Sequence, residues 1–445
     1  MRLDDAEVAG LLAALAGDDE VAAEGALARV AGAGDRRFVP VLVELLWASE
    51  LGVVPKRGHN ERVVALERLS GERFGANWFA WAEWEGAARP PLPAGFVRFK
   101  AELAGRIDPA YAALLAPERV APETALEIHW SGAGSIPALR DPATVPARKA
   151  SWLEESEPVL GVFVGGEARA YPLRILDWHE VANDVVGGVP VCVVSCPLCG
   201  SASAWRAQPG AGRRTFEATG LLLRSTSLLA DPSSQRLLSP ISLAPPGAGQ
   251  EAPGLDPLPV VVSAWQDWRT EHPETTVLSL ATGHSRPYVP GQPYAEYFAS
   301  DGLRFPVAAR DGRLAPKARV FGLRHGAASA AFPVERLTGE GVVNDRVGEL
   351  AVAVVATRGT IRAVHGDPEQ GLAYSSGAEV RAYAAGSRRF AAGPRPDAIL
   401  DEGRAEWTVT EEALVGPGGE RAPRVAGVLA YWFAWSAFFP ETEVR

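Results

Sequence analysis

Apolar positions in the first part of the chain recur at helical spacing. Leu11, Leu12 and Leu15, then Val21, Leu27 and Val30, then Val41, Leu42, Leu45 and Leu46 fall on successive helix faces. Gly17-Asp18-Asp19 and Gly32-Ala33-Gly34-Asp35 break the runs, and Pro40 opens the third. Short antiparallel helices joined by polar turns are the pattern of HEAT-type repeats. Further on, Trp78, Trp81 and Trp84 drift around one helix and predict docking by aromatic burial. A proline-rich break over 86–94 precedes a last helix over 96–115. Residues 1–118 therefore read as an all-α, HEAT-like segment, suited to holding a protein partner.

From residue 119 the period changes. Two β-prone runs, 159–164 and 167–172, flank Gly165-Gly166 and predict a hairpin. Residues 173–185 read as a short helix, with Asn183-Asp184 as its terminal turn and Gly187-Gly188 closing it before a strand over 189–194. Later strands are expected over 260–262, 276–280, 318–323, 351–356 and 360–364, with loops over 244–258 and 415–424. The βαβ alternation of a dinucleotide fold is missing. The expected class is α+β, a mainly antiparallel β-rich domain over 119–445 preceded by the all-α segment.

Composition narrows the partners. A chain of 445 residues holds two or three domains, and its net charge of −10 without a basic run argues against nucleic acid or an anionic membrane. The first residues, MRLDDAEVAG, lack a secretory pattern, and the apolar run over 425–440 is short for a membrane span and reads as a buried element. The default location is cytoplasmic, and the partner is an unidentified small molecule or protein.

Candidate chemistry gathers in residues 178–204, WHEVANDVVGGVPVCVVSCPLCGSASA. All three cysteines of the chain, Cys192, Cys196 and Cys199, lie here. Two thiols three apart can ligate a metal or close a redox disulfide. With no second cysteine pair, His179 is the nearest further ligand, and thiolates with imidazole suit copper or zinc. Glu180 would then orient its neighbour or act as a base. Cys192, about 13 Å along an extended strand from Cys196, reads as a core residue. A thioredoxin-type turn needs a long helix after the second cysteine. Here Pro209-Gly210 follows too soon. Two other polar groups follow predicted elements, His272-Pro273 and the stretch Thr282 to Tyr288 with His284 and Arg286, where Arg286 could grip an anion. His129, His325 and His365 sit in ordinary contexts.

The motifs GAGSIPAL (132–139), EARAYP (167–172), WHEVAND (178–184), CPLCGSA (196–202), FEATGL (216–221), WQDWRTEHPETTVL (265–278) and YWFAWSAFFPET (431–442) occur together and in order. Over about 127–440 the chain resembles the domain of unknown function 3179 family, a resemblance that implies a domain and no settled activity. It departs from that family before the first cysteine, where Ser195 stands for a usual Tyr. In the block over 229–240, Asp231 persists but Ala230, Pro232, Leu238 and Pro240 replace the usual Tyr, Arg, Trp and Gln. If that block lines a pocket, this member has a different substrate or a weakened site.

Three readings follow. The first is a soft-metal or redox site of Cys196, Cys199 and His179 with Glu180 beside it. The second is a metal-free thiol–disulfide protein, and the third a non-catalytic scaffold with structural cysteines. The sequence leaves catalysis open. The deciding geometry is whether His179 reaches both sulfurs.

Overall fold

The computed structural model describes residues 3–131, 136–207, 212–246, 255–308, 310–357, 361–364 and 373–445. The architecture is α+β. Helices Asp5–Ala16, Glu20–Ala33, Val39–Glu50, His59–Ser70, Trp78–Ala88, Phe96–Gly105, Pro109–Leu114 and Pro122–Ala125 come first. Short polar side chains start several of them: Asp4 closes a capping box with Glu7, Asp19 accepts from the amides of Val21 and Ala22, and Asn77 from that of Ala80. Trp78 and Trp81 are buried and Trp84 half-buried, so the tryptophan row is core.

The helices pack on a four-stranded sheet ordered Ile128–Trp130, Glu217–Leu223, Thr226–Asp231, Arg236–Leu238. Leu221, Leu222 and Leu228 share one core with the helical leucines. Polar ties pin the contact: Trp47 Nε1 donates to the Trp130 carbonyl at 2.9 Å, Arg224 pairs with Glu127 at 2.7 Å, and the Tyr111 hydroxyl donates to the Thr219 carbonyl.

The β-rich part contains one unit twice. The first copy is a hairpin (Pro158–Val164, Glu167–Pro172), a helix (Leu173–His179) and a second hairpin strand pair (Val181–Val186, Val189–Cys196). The second is Arg319–His325, Ala328–Pro333, Val334–Glu340, Val342–Val347 and Leu350–Ala356. The two align without a gap, with Gly161/Gly322, Gly165/Gly326, Pro172/Pro333, Leu176/Leu337, Asn183/Asn344, Asp184/Asp345 and Gly187/Gly348 identical. A strand and helix return later in each copy, Val260–Ala264 with Trp265–Glu271 and Val428–Tyr431 with Trp432–Phe438.

The contacts repeat as well as the letters. A Cβ on Gly161 would lie 2.3 Å from the Trp268 ring, and one on Gly322 2.3 Å from that of Trp435. Trp268 Nε1 donates to Thr275 Oγ1 at 2.9 Å, and Trp435 Nε1 to Thr442 Oγ1 at 2.9 Å. The Asn183 side chain exchanges two hydrogen bonds with the Phe216 backbone (2.9 and 2.8 Å), and Asn344 does the same with Phe390 (2.7 and 2.7 Å). Each copy ends on a short strand added in parallel to its first hairpin, Thr276–Leu278 and Glu443–Val444.

The copies are joined edge to edge. Strands Val181–Val186, Val189–Cys196 and Ser201–Arg206 continue through Val428–Tyr431 into Arg319–His325 and Ala328–Pro333 in a single nine-stranded sheet.

Several sequence expectations need correction. The helix over 173–185 stops at His179, and Asn183 and Asp184 sit mid-strand, so Gly187-Gly188 closes a β-turn. Strands Ala413–Val415 and Arg421–Val425 flank and enter the loop expected over 415–424, and Asp256–Leu258 enters that over 244–258, where 247–254 lie outside the described residues. Residue 360, in the last expected strand, and His365 also lie outside them. The apolar run over 425–440 is the buried strand and helix of the second copy. No described helix is long and apolar enough to cross a membrane.

Candidate active site

The two thiols stand at a hairpin end. Strands Val189–Cys196 and Ser201–Arg206 pair antiparallel, with Cys196 opposite Ser201, so residues 197–200 form the connecting loop. Ser201 onward is strand, which removes the helix a thioredoxin turn requires. Gly200 has φ +59, and a Cβ there would meet the Tyr431 ring at 2.8 Å. Tyr431 also donates its amide to the Cys199 carbonyl at 2.8 Å. Only glycine meets both demands at this turn.

All three cysteines are free and fully buried, but their surroundings differ. Cys192 packs among Val181, Trp205, Phe216 and Leu229, and burial holds its thiol far above the ordinary range. It is a core residue. Cys196 instead meets hydrogen-bonding groups. Its thiol lies 3.5 Å from Ser227 Oγ, and the Cys199 amide donates to its sulfur at 3.4 Å. Burial pushes Cys196 up, yet hydrogen bonds from the Cys199 side chain and from Ser227 outweigh it and bring the thiol down to about 7. Cys199, buried and beside that sulfur, is driven the other way; its own Sγ lies 3.1 Å from Ser201 Oγ.

Glu180 completes the group. It follows the last helical residue, His179, at φ 57 and ψ −31, and its carbonyl accepts from Ser195 at 2.9 Å, seating it beside the strand that carries Cys196. Burial, then the Cys196 charge, raises its carboxyl to about 8 against a hydrogen bond from Ser227. The Ser227 hydroxyl thus lies 3.5 Å from the Cys196 sulfur and works against the rise of the Glu180 carboxyl. Asp177, whose charge also raises Glu180, has its Oδ2 buried without a hydrogen-bond partner among the described residues.

His179 faces elsewhere. Its Nδ1 lies 2.7 Å from the Pro137 carbonyl and its Nε2 2.7 Å from the Tyr288 hydroxyl. A carbonyl only accepts, so Nδ1 carries the proton and Nε2 accepts from Tyr288. Burial lowers its basicity, with His284 and Arg286 adding to the effect. The polar stretch Thr282 to Tyr288 therefore docks on His179: Tyr288 Oη meets Thr282 Oγ1, the His284 ring lies 5.0 Å from that of His179, and Arg286 sits over Trp178 at 5.4 Å. The same strap carries Tyr297, whose hydroxyl donates to the Leu198 carbonyl at 2.5 Å, and Tyr294, whose phenol is raised by burial and by the nearby Glu180, Cys196 and Asp177.

Among the described residues a single trio brings metal-type ligand atoms within 4.8 Å of one another, and it is Glu271, His272 and Glu411. Cys196, Cys199 and His179 do not form such a group. The Glu271 trio already holds a cation, since Arg381 donates to Glu271 at 3.3 Å and to Glu411 at 2.8 Å. His179, engaged by Pro137 and Tyr288, is not gathered with the two thiols into such a group.

The altered block over 229–240 is shared between two cores, with Ala230 and Leu237 in the one that holds Cys196 and Cys199. Leu229 and Leu238 belong to the core around Cys192, while Asp231 accepts from Ser233 and Ser234 and pairs with Arg214 at 3.1 Å. Asp231 is a turn anchor. Arg169 and Tyr171 of the EARAYP motif both donate to Asp184 (2.7 and 2.8 Å), tying the first hairpin to the second.

In the second copy the chemistry is absent from the corresponding positions. Glu340, Gly341 and Thr357 stand where the first has His179, Glu180 and Cys196, and the position of Cys199 lies outside the described residues. Sequence reasoning missed Ser227, which lies 31 residues from Cys196 on another hairpin with no motif to mark it. It also missed the repeat, whose signal was the shared glycine, proline and Asn-Asp spacing.

No curated protein and no solved structure matched the chain. Residues 133–442, well over half of the chain and including the dithiol hairpin and both copies of the unit, match the family described as "Protein of unknown function (DUF3179)", and the chain belongs to that family.

Proposed function

We propose that the protein is a thiol–disulfide redox protein whose reacting pair is Cys196 and Cys199. Cys196 is the attacking sulfur, Cys199 the resolving one, and Glu180 the group that takes the Cys196 proton. One observation carries the reading: the Cys196 thiol meets the Ser227 hydroxyl at 3.5 Å while the Cys199 amide points at the same sulfur at 3.4 Å. Hydrogen bonding outweighs burial to lower the Cys196 thiol while burial raises the Glu180 carboxyl, so the two groups are drawn toward one range and can exchange a proton. A thiol of that strength is close to the optimum for attack at ambient pH.

The backbone supports a special role for Glu180. Its equivalent, Gly341, has φ 75 and ψ −45, a region in which a non-glycine residue is strained. The first copy keeps a glutamate there. Cys192 is the internal control, since it is equally buried but lies in an apolar setting. The helical segment acts as the back wall of the site, and a reducing, cytoplasmic setting is where such a pair rests as dithiol.

The experiment is differential alkylation of the reduced full chain with mass-spectrometric mapping. Cys196 should label first, with an apparent pKa near 7, and a mild oxidant should link it reversibly to Cys199. Equal inertness of Cys192, Cys196 and Cys199 in the folded protein, with no disulfide formed, would return the pair to a structural role.

A further inference from the structure

We propose that the one-turn helix Ala295–Ala299, with its flanking residues over 292–301, is a lid that must lift before the dithiol can react. The inference rests on the redox reading above and names how that site is opened.

Access sets the problem. Cys196 and Cys199 are 0% exposed. Thiol–disulfide exchange needs a second sulfur brought against the first, so a sealed pair exchanges with nothing. Three walls shut the CxxC turn: the core shared with the helical segment, strand Val428–Tyr431, and the segment over 292–301.

The first two walls are built into the fold. Leucines of the helices and of the four-stranded sheet share one core with both sulfurs, and parting them would unpack that core. Strand Val428–Tyr431 is laddered to Arg319–His325, and the Tyr431 amide donates to the Cys199 carbonyl at 2.8 Å.

The third wall is tied differently. Its backbone amides donate close by, Gln292 to Val289, Tyr294 to Gly291, Phe298 to Tyr294 and Ser300 to Tyr297. Among the described residues no backbone-to-backbone hydrogen bond joins it to another element. Side chains hold it instead. The Tyr297 hydroxyl donates to the Leu198 carbonyl at 2.5 Å, in the middle of the CxxC turn. Lys317 Nζ grips the far end by the carbonyls of Tyr297 and Ser300, and stands 3.8 Å from the centre of the Tyr297 ring.

Tyr297 is buried in the core that holds Cys196, Leu198 and Cys199, while Glu296, Ala299, Ser300 and Asp301 are exposed. Gly291, at φ 77, and Gly302 bound the segment. A segment held by a few side chains and no ladder opens at a fraction of the global unfolding free energy. Lifting this one withdraws the Tyr297 ring from the sulfurs' core and leaves Tyr288 docked on His179.

The test is the rate at which a small maleimide labels each cysteine of the reduced full chain, read by mass spectrometry. Tyr297→Phe keeps the ring and removes the hydroxyl, and Lys317→Met keeps the stem and removes the ammonium. Each should speed labelling of Cys196 on the order of tenfold, the factor that one hydrogen bond carries. Cys192, in a separate core, should label no faster, and His179→Ala should behave as the natural protein. Amides over 292–301 should exchange with deuterium ahead of those in Val189–Cys196 and Val428–Tyr431. Unchanged Cys196 labelling in both variants overturns the lid. So does an equal acceleration at Cys192, the mark of unfolding of the whole chain. A mild oxidant separates the two readings. Disulfide formation that accelerates in step with labelling supports both. If Cys196 and Cys199 are joined at one rate in the natural protein and both variants, the redox reading stands and the lid falls. If no oxidant joins them, both fall together.

Discussion

Glu180 and Gly341 occupy the same place in the two copies of the repeated unit, and both hold a positive φ, 57 and 75. Glycine populates that region freely, whereas another residue there costs about 1–3 kcal/mol. Glu180→Gly should therefore raise stability by about 1 kcal/mol in urea unfolding. The same variant should slow Cys196 alkylation at pH 7. A loss of both stability and reactivity would mean that the glutamate is held for packing.

The raised Glu180 carboxyl has a consequence for stability against pH. In the unfolded chain it ionises near the ordinary 4.5, in the folded protein only near 8. Between those values the unfolded state has released a proton that the folded state keeps, so ionisation favours unfolding. The contribution is full below about 4.5 and is lost as pH climbs to about 8. Glu180→Gln should remove this part of the slope, so its advantage over the natural protein should grow across that window. Chemical denaturation at several pH values measures it.

His179 and the two sulfurs supply opposite expectations for metal content. With both ring nitrogens engaged by Pro137 and Tyr288, His179→Ala should leave the thiol chemistry unchanged and cost stability. Losing the partner of a buried polar group costs about 1–3 kcal/mol. Protein purified without chelator should carry zinc and copper well below one equivalent by elemental analysis. A full equivalent that disappears in Cys196→Ser would restore the metal reading.

Gly161 and Gly322 face the same test in the two copies. A methyl group on either would sit 2.3 Å from a fully buried indole ring, Trp268 or Trp435. Overpacking of this kind costs about 1–3 kcal/mol. Alanine at each should lower the unfolding midpoint by similar amounts. A neutral result at one site alone would show that its helix packs more loosely than its twin.

Much of the β-rich half was legible because glycine pairs punctuate it. Gly165-Gly166 marked a hairpin whose observed strands, Pro158–Val164 and Glu167–Pro172, differ from expectation by a single residue. The helix that overran His179 did so because its stop is carried by a glutamate. The usual glycine sign stands at Gly341, in the copy that lacks the chemistry, and only superposing the copies reveals it. The candidate site was half legible. Cys196, Cys199 and Glu180 stood out as residue types, whereas Ser227 meets Cys196 from a different sheet. The docking of Tyr288 on His179 spans 109 residues and left no local trace.

The hydrogen bond from the Tyr431 amide to the Cys199 carbonyl belongs to strand Val428–Tyr431, in the second copy. That strand abuts Ser201–Arg206 and brings its aromatic ring down on Gly200. The copy without a dithiol has thus become the mould of the one that has it. A shortened protein made by deleting the silent half would leave the CxxC turn with an open flank, where the Tyr431 ring and amide now close it.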